Sequence, residues 1–336
     1  MNAILQLTPS GLHCSDGDFY IDPRRPVKRA IITHAHADHA RPGSRSYLCA
    51  HDCKALLQHR LGLESDIQTL EYGEVLTINS IKVSLHPAGH ILGSAQVRIE
   101  SCGEIMAVSG DFKTDADPTC KPLEPLRCHT FISECTFGLP VFRWPPPEQV
   151  MREINSWWRA NREQNRTSIL FAYALGKAQR ILTGLDSEIG PILTHGAVEN
   201  INRCYREAGL AMPETRYIGE LENSKLPAGA LVIAPPSADN TMWMRRFPRR
   251  SRAFASGWMC IRGNRRRRSI DRGFVLSDHS DWKGLIKTIE ATGAQRIELT
   301  HGYAAEMARW LQDKEIDAQA MPSFYDDEAE GDGDSA

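Results

Sequence analysis

Thr33-His34-Ala35-His36-Ala37-Asp38-His39 follows directly on the apolar stretch Arg29-Ala30-Ile31-Ile32. The apolar run reads as a buried strand, and the polar heptapeptide as the loop at its end. Four side chains able to bind metal fall within six residues and are separated only by alanines. They can therefore converge on cations at little entropic cost, with nothing bulky between the imidazoles. That density is a two-metal signature; a histidine-rich surface loop rarely has it.

Two later fragments extend the pattern. Pro87-Ala88-Gly89-His90 sets a histidine after the strand-like residues 83–86, with Gly93 beyond it. Val108-Ser109-Gly110-Asp111 ends another apolar strand in a carboxylate, a group that can bridge two cations. Each is weak alone, and the set together indicates a metal site on a β-rich scaffold.

The 336 residues exceed one ordinary domain, and 41% hydrophobic with 24% charged residues excludes wholesale disorder. Nine cysteines, an odd number without a C-x-x-C pair, fit neither a disulfide framework nor a zinc ribbon and read as buried thiols in a reducing compartment. With no basic, apolar leader and no apolar run of membrane-spanning length, the expectation is a soluble, cytoplasmic protein. Net charge is −2, but the arginines 245, 246, 249, 250, 252, 262, 265, 266, 267, 268 and 272 face a single acid, Asp271. The segment 323–336 is acidic and too poor in apolar residues to form a core, so it reads as a disordered tail.

Short strands are expected at 19–21, 29–33, 46–49, 81–86, 95–99, 105–109 and 130–133. After Trp144-Pro145-Pro146-Pro147 the texture changes, and Val150, Ile154, Trp157 and Trp158 recur at helical spacing over 147–161. Strands 169–172, 191–193 and 231–234 then alternate with helices 177–185, 198–207 and 239–246, the signature of parallel β-α units. The first texture returns with a strand at 273–276, a helix at 282–292, a strand at 296–299 and a helix at 304–313. The expected organisation is one α/β domain (1–139 and 274–322) interrupted by a second (140–273), with the tail at 323–336.

Taken in order, Asp22, His34, His36, Asp38, His39, His90 and Asp111 resemble the site of the metallo-β-lactamase fold, an αββα sandwich. Ser133-Glu134-Cys135-Thr136-Phe137-Gly138, Leu276-Ser277-Asp278-His279-Ser280-Asp281 and Leu299-Thr300-His301-Gly302 resemble motifs A, B and C of its β-CASP nucleases, whose mark is an inserted α/β domain. Within the insert, Phe171-Ala172-Tyr173-Ala174-Leu175-Gly176-Lys177-Ala178-Gln179 and Ala255-Ser256-Gly257-Trp258-Met259 are also familiar from that group. The resemblance spans Leu5 to about Met321.

The resemblance implies two divalent metal ions, zinc or manganese, and hydrolysis of phosphodiesters by hydroxide held between them. One metal would take His34, His36, His90 and Asp111; the other Asp38, His39, bridging Asp111 and, as a further ligand, His301. Asp22 would orient ligands, and His279, a ligand or a proton donor, would serve the phosphate with support from Glu134. His195, in Leu193-Thr194-His195-Gly196, imitates motif C but lies inside the insert and reads as structural or substrate-facing. Arg262, Arg265, Arg266, Arg267 and Arg268 would grip a nucleic-acid backbone, with Ser256 and Trp258 near the site; Trp258 could stack on a base or pack in the core.

His301 is the motif C residue of RNA-processing members, which favours an RNA-processing ribonuclease. The run from Leu7-Thr8-Pro9-Ser10-Gly11-Leu12 to Asp18-Phe19-Tyr20-Ile21-Asp22-Pro23 instead resembles bacterial exonucleases associated with DNA ligase. The favoured expectation is a DNA exonuclease acting on single-stranded DNA in repair, in functional association with a DNA ligase and helicase. A small-molecule hydrolase would need neither the insert nor the arginines, and a catalytically dead binding subunit would have lost ligands that this chain keeps.

Overall fold

The structure, a computed structural model, describes residues 4–222, 226–261, 263 and 270–322. Arg262, Arg265, Arg266, Arg267, Arg268 and the segment 323–336 lie outside the described residues. The chain divides into two compact units, with breaks between Phe142 and Arg143 and between Asp278 and His279.

In the first unit, β1 (Gln6–Thr8), β2 (Gly11–Cys14), β3 (Phe19–Ile21), β4 (Arg29–Ile31), β5 (Ser46–Ala50) and β6 (Ile67–Leu70) form one sheet in sequence order. The second sheet begins with β7 (Val75–Ile78), β8 (Ile81–Pro87), β9 (Ala95–Ser101), β10 (Glu104–Val108) and β11 (Thr130–Glu134). In the second unit, β12 (Thr167–Phe171), β13 (Ile192–Thr194), β14 (Arg216–Tyr217), β15 (Leu231–Ala234), β16 (Arg250–Ala255) and β17 (Arg272–Phe274) form a sheet of order β14-β13-β15-β12-β16-β17. The chain then returns to the first unit, where β18 (Arg296–Thr300) and β19 (Asp317–Ala320) extend the second sheet beyond β11.

Strand periodicity explains the layering of the first unit. On β10, Met106 and Val108 join a core shared by both sheets, and Ala107 between them faces the opposite way. That opposite face packs on the helices Trp282–Thr292 and Ala304–Gln312 through Trp282, Leu285, Ile289, Met307 and Leu311. The layered α/β arrangement matches the expected class.

In the second unit every strand pair is parallel. Near-continuous apolar strands such as Leu231–Ala234 are buried on both faces, as a sheet covered by helices requires. Helix Pro147–Glu163 starts on a proline, whose missing N–H costs nothing at a first turn, and buries Val150, Ile154, Trp157 and Trp158. Trp158 is fully buried, and its Nε1 donates to Gly229 O at 2.9 Å.

Three sequence readings differ from the structure. Of the residues read as a returning strand at 273–276, Gly273 and Phe274 belong instead to β17, which pairs with β16 in the second unit, and Val275 and Leu276 lie outside any strand. Residues 239–246 form a 3-10 turn, Met242–Arg246, and not an α-helix, because Asn240 takes φ 57° and Asp239 is extended. Six of the cysteines are buried, but Cys102 is exposed and Cys120 and Cys260 are half-buried.

Candidate metal centre

All of the candidate ligands stand in the first unit, at one edge of its sheets. β10, β11 and β18 run parallel, and β8 shares their direction because β9 is antiparallel to both β8 and β10. His90, Asp111, Glu134 and His301 therefore sit at or just beyond strand ends on the same side. Asp22 and His34–His39 follow the parallel pair β3 and β4, and Ala95 N–H donates to Thr33 O, tying the two sheets at that edge.

Gly110 is required by this packing. It adopts φ 55°, and a Cβ there would stand 2.7 Å from Thr33 Cβ, so only glycine lets the strand carrying Asp111 approach the histidine loop.

The ligands expected from the sequence form two sets, and Asp111 also belongs to a third group with Glu134 and His279. His34 Nε2 and His90 Nε2 each lie 3.1 Å from His36 Nδ1, and Asp111 Oδ2 lies 3.4 Å from His34 Nε2 and 3.7 Å from His90 Nε2. Ligand atoms about 2.0–2.1 Å from a tetrahedral cation are about 3.3 Å apart, so this first set has the dimensions of a coordination shell. The second set joins Asp38, His39 and His301. His39 Nε2 is buried without a hydrogen bond and faces Asp38 Oδ2 at 3.3 Å and the other Asp111 oxygen, Oδ1, at 3.5 Å. Asp111 thus turns one oxygen to each set, and a buried imidazole nitrogen facing two carboxylates fits a divalent cation.

Asp22 determines which nitrogens face inward. Its Oδ1 accepts the Thr33 N–H at 2.8 Å, and its Oδ2 accepts the Thr33 hydroxyl at 2.6 Å and meets His39 Nδ1 at 2.7 Å. Since the Thr33 hydroxyl donates to Asp22, His34 Nδ1, 3.0 Å from Oγ1, must be the donor in that contact. Both rings consequently carry a proton on Nδ1 and present Nε2 to the donor sets. Thr33 was missed as a functional residue in the sequence reading, although it heads the decisive heptapeptide.

The electrostatics reflect this crowding. Burial, reinforced by neighbouring His39, His90 and His36, pushes the His34 pKa well down. For His39 burial opposes the charge, but Asp38, Asp111 and Asp22 outweigh it and push the pKa well up. Burial raises Asp111 to about 7. Asp38 moves the other way: His39 beside it overcomes burial and holds it below the ordinary carboxylate range. Burial of its ring nitrogens, with His39 alongside, pushes the pKa of half-buried His301 down to about 4, and its backbone takes a left-handed φ of 61°.

Beside the first set, His279 Nδ1 meets Glu134 Oε1 at 2.9 Å. Glu134 also accepts the Phe112 N–H at 3.0 Å, the Thr136 N–H at 3.1 Å and the Thr136 hydroxyl at 2.6 Å. Burial resists its charge, but His279, Thr136 and Phe112 together lower it to about 2. Thr136 is a second partner not assigned from sequence, although it stands in motif A.

In the second unit, His195 caps helix Gly196–Glu207 through Nδ1 and packs edge-on against Trp243. Ser256 is buried and accepts the Trp258 N–H, while Trp258 is half-buried against the core. Several arginines of the basic stretch hold this unit together: Arg246 donates to Ile218 O and Leu221 O, Arg250 to Phe247 O, and Arg252 pairs with Asp239. Among the described residues, no helix is long and apolar enough to cross a membrane.

No family model matches the chain. A protein from Opitutus terrae named probable DNA ligase is 32% identical over 314 residues, 93% of this chain and 30% of that protein. Endoribonuclease YSH1 of Saccharomyces cerevisiae is 30% identical over 122 residues, 36% of this chain and 15% of that protein. Cleavage and polyadenylation specificity factor subunit 3 of Dictyostelium discoideum is 33% identical over 122 residues, 36% of this chain and 16% of that protein. The chain therefore spans about a third or less of the length of these curated relatives. A crystal structure of a protein of unknown function from Enterococcus faecalis V583 superposes with a TM-score of 0.58 at 14% identity, covering 89% of this chain and 80% of that one. That likeness is one of fold.

Proposed function

We infer that this chain, which belongs to the β-CASP group of the metallo-β-lactamase fold, is a metal-dependent phosphodiesterase acting on nucleic acid. Within that class our reading is a DNA exonuclease that works on single strands in repair, functionally associated with a DNA ligase and helicase. The observation that carries the phosphodiesterase reading is the pair of donor sets sharing Asp111.

His34, His36, His90 and Asp111 would hold one divalent cation, and Asp38, His39, His301 and the second oxygen of Asp111 the other. Zinc or manganese suits this mixture of imidazole and carboxylate, and would supply the activated water and charge neutralisation that phosphodiester hydrolysis needs near neutral pH. Asp22 and Thr33 keep the ligand imidazoles in the required tautomer. Glu134, held ionised, fixes His279 by its Nδ1, and His279 would contact the phosphate or protonate the departing oxygen. A general acid in that place contributes typically about 10²–10⁴-fold.

The DNA reading draws support from the relative named for DNA ligase, which matches nearly the whole chain where the endoribonucleases match about a third. The second reading, an RNA-processing ribonuclease, is favoured by His301 in motif C and by the endoribonuclease names. The deciding experiment incubates the protein with manganese, and separately with zinc, on end-labelled single-stranded DNA and RNA of one sequence, beside Asp38→Ala. We expect stepwise shortening of the DNA by wild type alone. Selective loss of RNA would establish the second reading, and cleavage of neither would remove both.

A further inference from the structure

Resting on that nuclease reading, we propose that a rim of arginines on the first unit, Arg24, Arg25, Arg41 and Arg45, grips the sugar-phosphate backbone of a single strand beside the metal centre. Residues 23–47 contain six lysines and arginines against one acid, Asp38, which already belongs to a donor set. In the other cationic stretch of the chain, the described Arg246, Arg250 and Arg252 hold the second unit together.

The rim has a built framework. One of its loops leaves Asp22 and the other leaves His39, so Arg24 and Arg41 each stand two residues from a side chain of the metal centre. At about 3.3–3.6 Å per residue, their Cα atoms lie within about 7 Å of those of Asp22 and His39. The two loops are stitched together: Arg45 N–H donates to Val27 O at 2.9 Å, and Val27 N–H donates to Ser44 Oγ at 3.2 Å. Buried Tyr47 fixes the second loop from below, its hydroxyl accepting from Ser44 N–H at 2.8 Å and donating to Arg41 O at 3.0 Å.

Arg25, Arg41 and Arg45 are exposed on this framework. Arg24 is half-buried and lines a small pocket together with Asp22, His39 and His301. Of the other two cations in this stretch, Lys28 pairs with Asp18 at 2.8 Å and Arg29 donates to Gly17 O at 3.4 Å. Guanidinium groups carried on loops of fixed backbone, next to the reacting site, match a polyanion whose phosphates recur at regular intervals.

The test measures binding of a fluorescent single-stranded DNA oligonucleotide in EDTA, across a salt series, so that it does not depend on turnover. The variant is Arg25→Gln/Arg41→Gln/Arg45→Gln, and Lys283→Gln/Lys287→Gln/Arg309→Gln removes the same charge from exposed helix positions. A single-strand slope of about −0.7 per phosphate contact predicts that the rim variant flattens log K against log [salt] by about 2 and weakens binding about 10²-fold at 0.1 M salt. The control should keep the wild-type slope. If wild type binds in EDTA, and cleaves when manganese is supplied separately, but the rim variant keeps its slope or the control loses as much, the rim assignment fails while the nuclease reading stands. If wild type neither binds nor cleaves, both fail.

Discussion

Thr33→Val removes one hydroxyl and little volume, and it should weaken the metal centre from a position that touches no metal. Thr33 is buried, and its Oγ1 both donates to Asp22 at 2.6 Å and faces His34 Nδ1 at 3.0 Å. Valine deprives Asp22 of one of three donors and leaves the His34 Nδ1–H without an acceptor. A hydrogen bond to a charged group contributes about 1.5–3 kcal/mol, and loss of a partner that orients a ligand costs about 10–100-fold in metal affinity. Chelator-competition titration of zinc should show that loss, while urea unfolding of the metal-free protein shows a destabilisation of about 1.5–3 kcal/mol. Thr33→Ser, which keeps the hydroxyl, should restore most of the affinity. Unchanged zinc affinity in Thr33→Val, or failure of serine to rescue, would refute the tautomer relay from His34 through Thr33 to Asp22.

Glu134→Gln should lower kcat about 10²–10⁴-fold with the bound metal content unchanged, because glutamine cannot stabilise charge on His279; an unaltered rate would remove His279 from proton transfer. Trp158→Ala should destabilise the second unit by about 3–5 kcal/mol in denaturant unfolding, since it empties a fully buried site and leaves Gly229 O without its donor. Glu199 is partly buried, which opposes its charge, but Thr215, Thr194 and Arg206 outweigh burial and lower its pKa. Its ionised form therefore stabilises the fold above the unfolded carboxylate range, near pH 4.3, and that contribution is lost as pH falls through the lower folded value. Glu199→Gln should accordingly be less stable than wild type at pH 7 and converge with it once pH falls below the lowered folded value, and a difference independent of pH would contradict the assignment.

What could be read from the chain was local. The loop from His34 to His39 announces itself because its donors are adjacent in sequence, and Asp111 and His90 because each ends an apolar strand after a glycine. Thr33 and Thr136 were invisible as partners, since a threonine near a carboxylate carries no signal until the backbone brings hydroxyl and oxygen together. Phe274 shows the same limit for the fold: its apolar run reads as a strand, but pairing with β16, and not with strands of the first unit, depends on long-range register. The two-residue β14 and the four-residue edge strand β7, with exposed Val75, are too short for periodicity to reveal. At Asn240 a single left-handed residue broke what composition presented as a helix.

The central claim is that two cation sites share Asp111. Metal content per chain after equilibrium dialysis against zinc or manganese tests it most directly. The account predicts two equivalents for wild type, both weakened in Asp111→Ala, whereas one equivalent or none in wild type, or loss of only one in the variant, would contradict it.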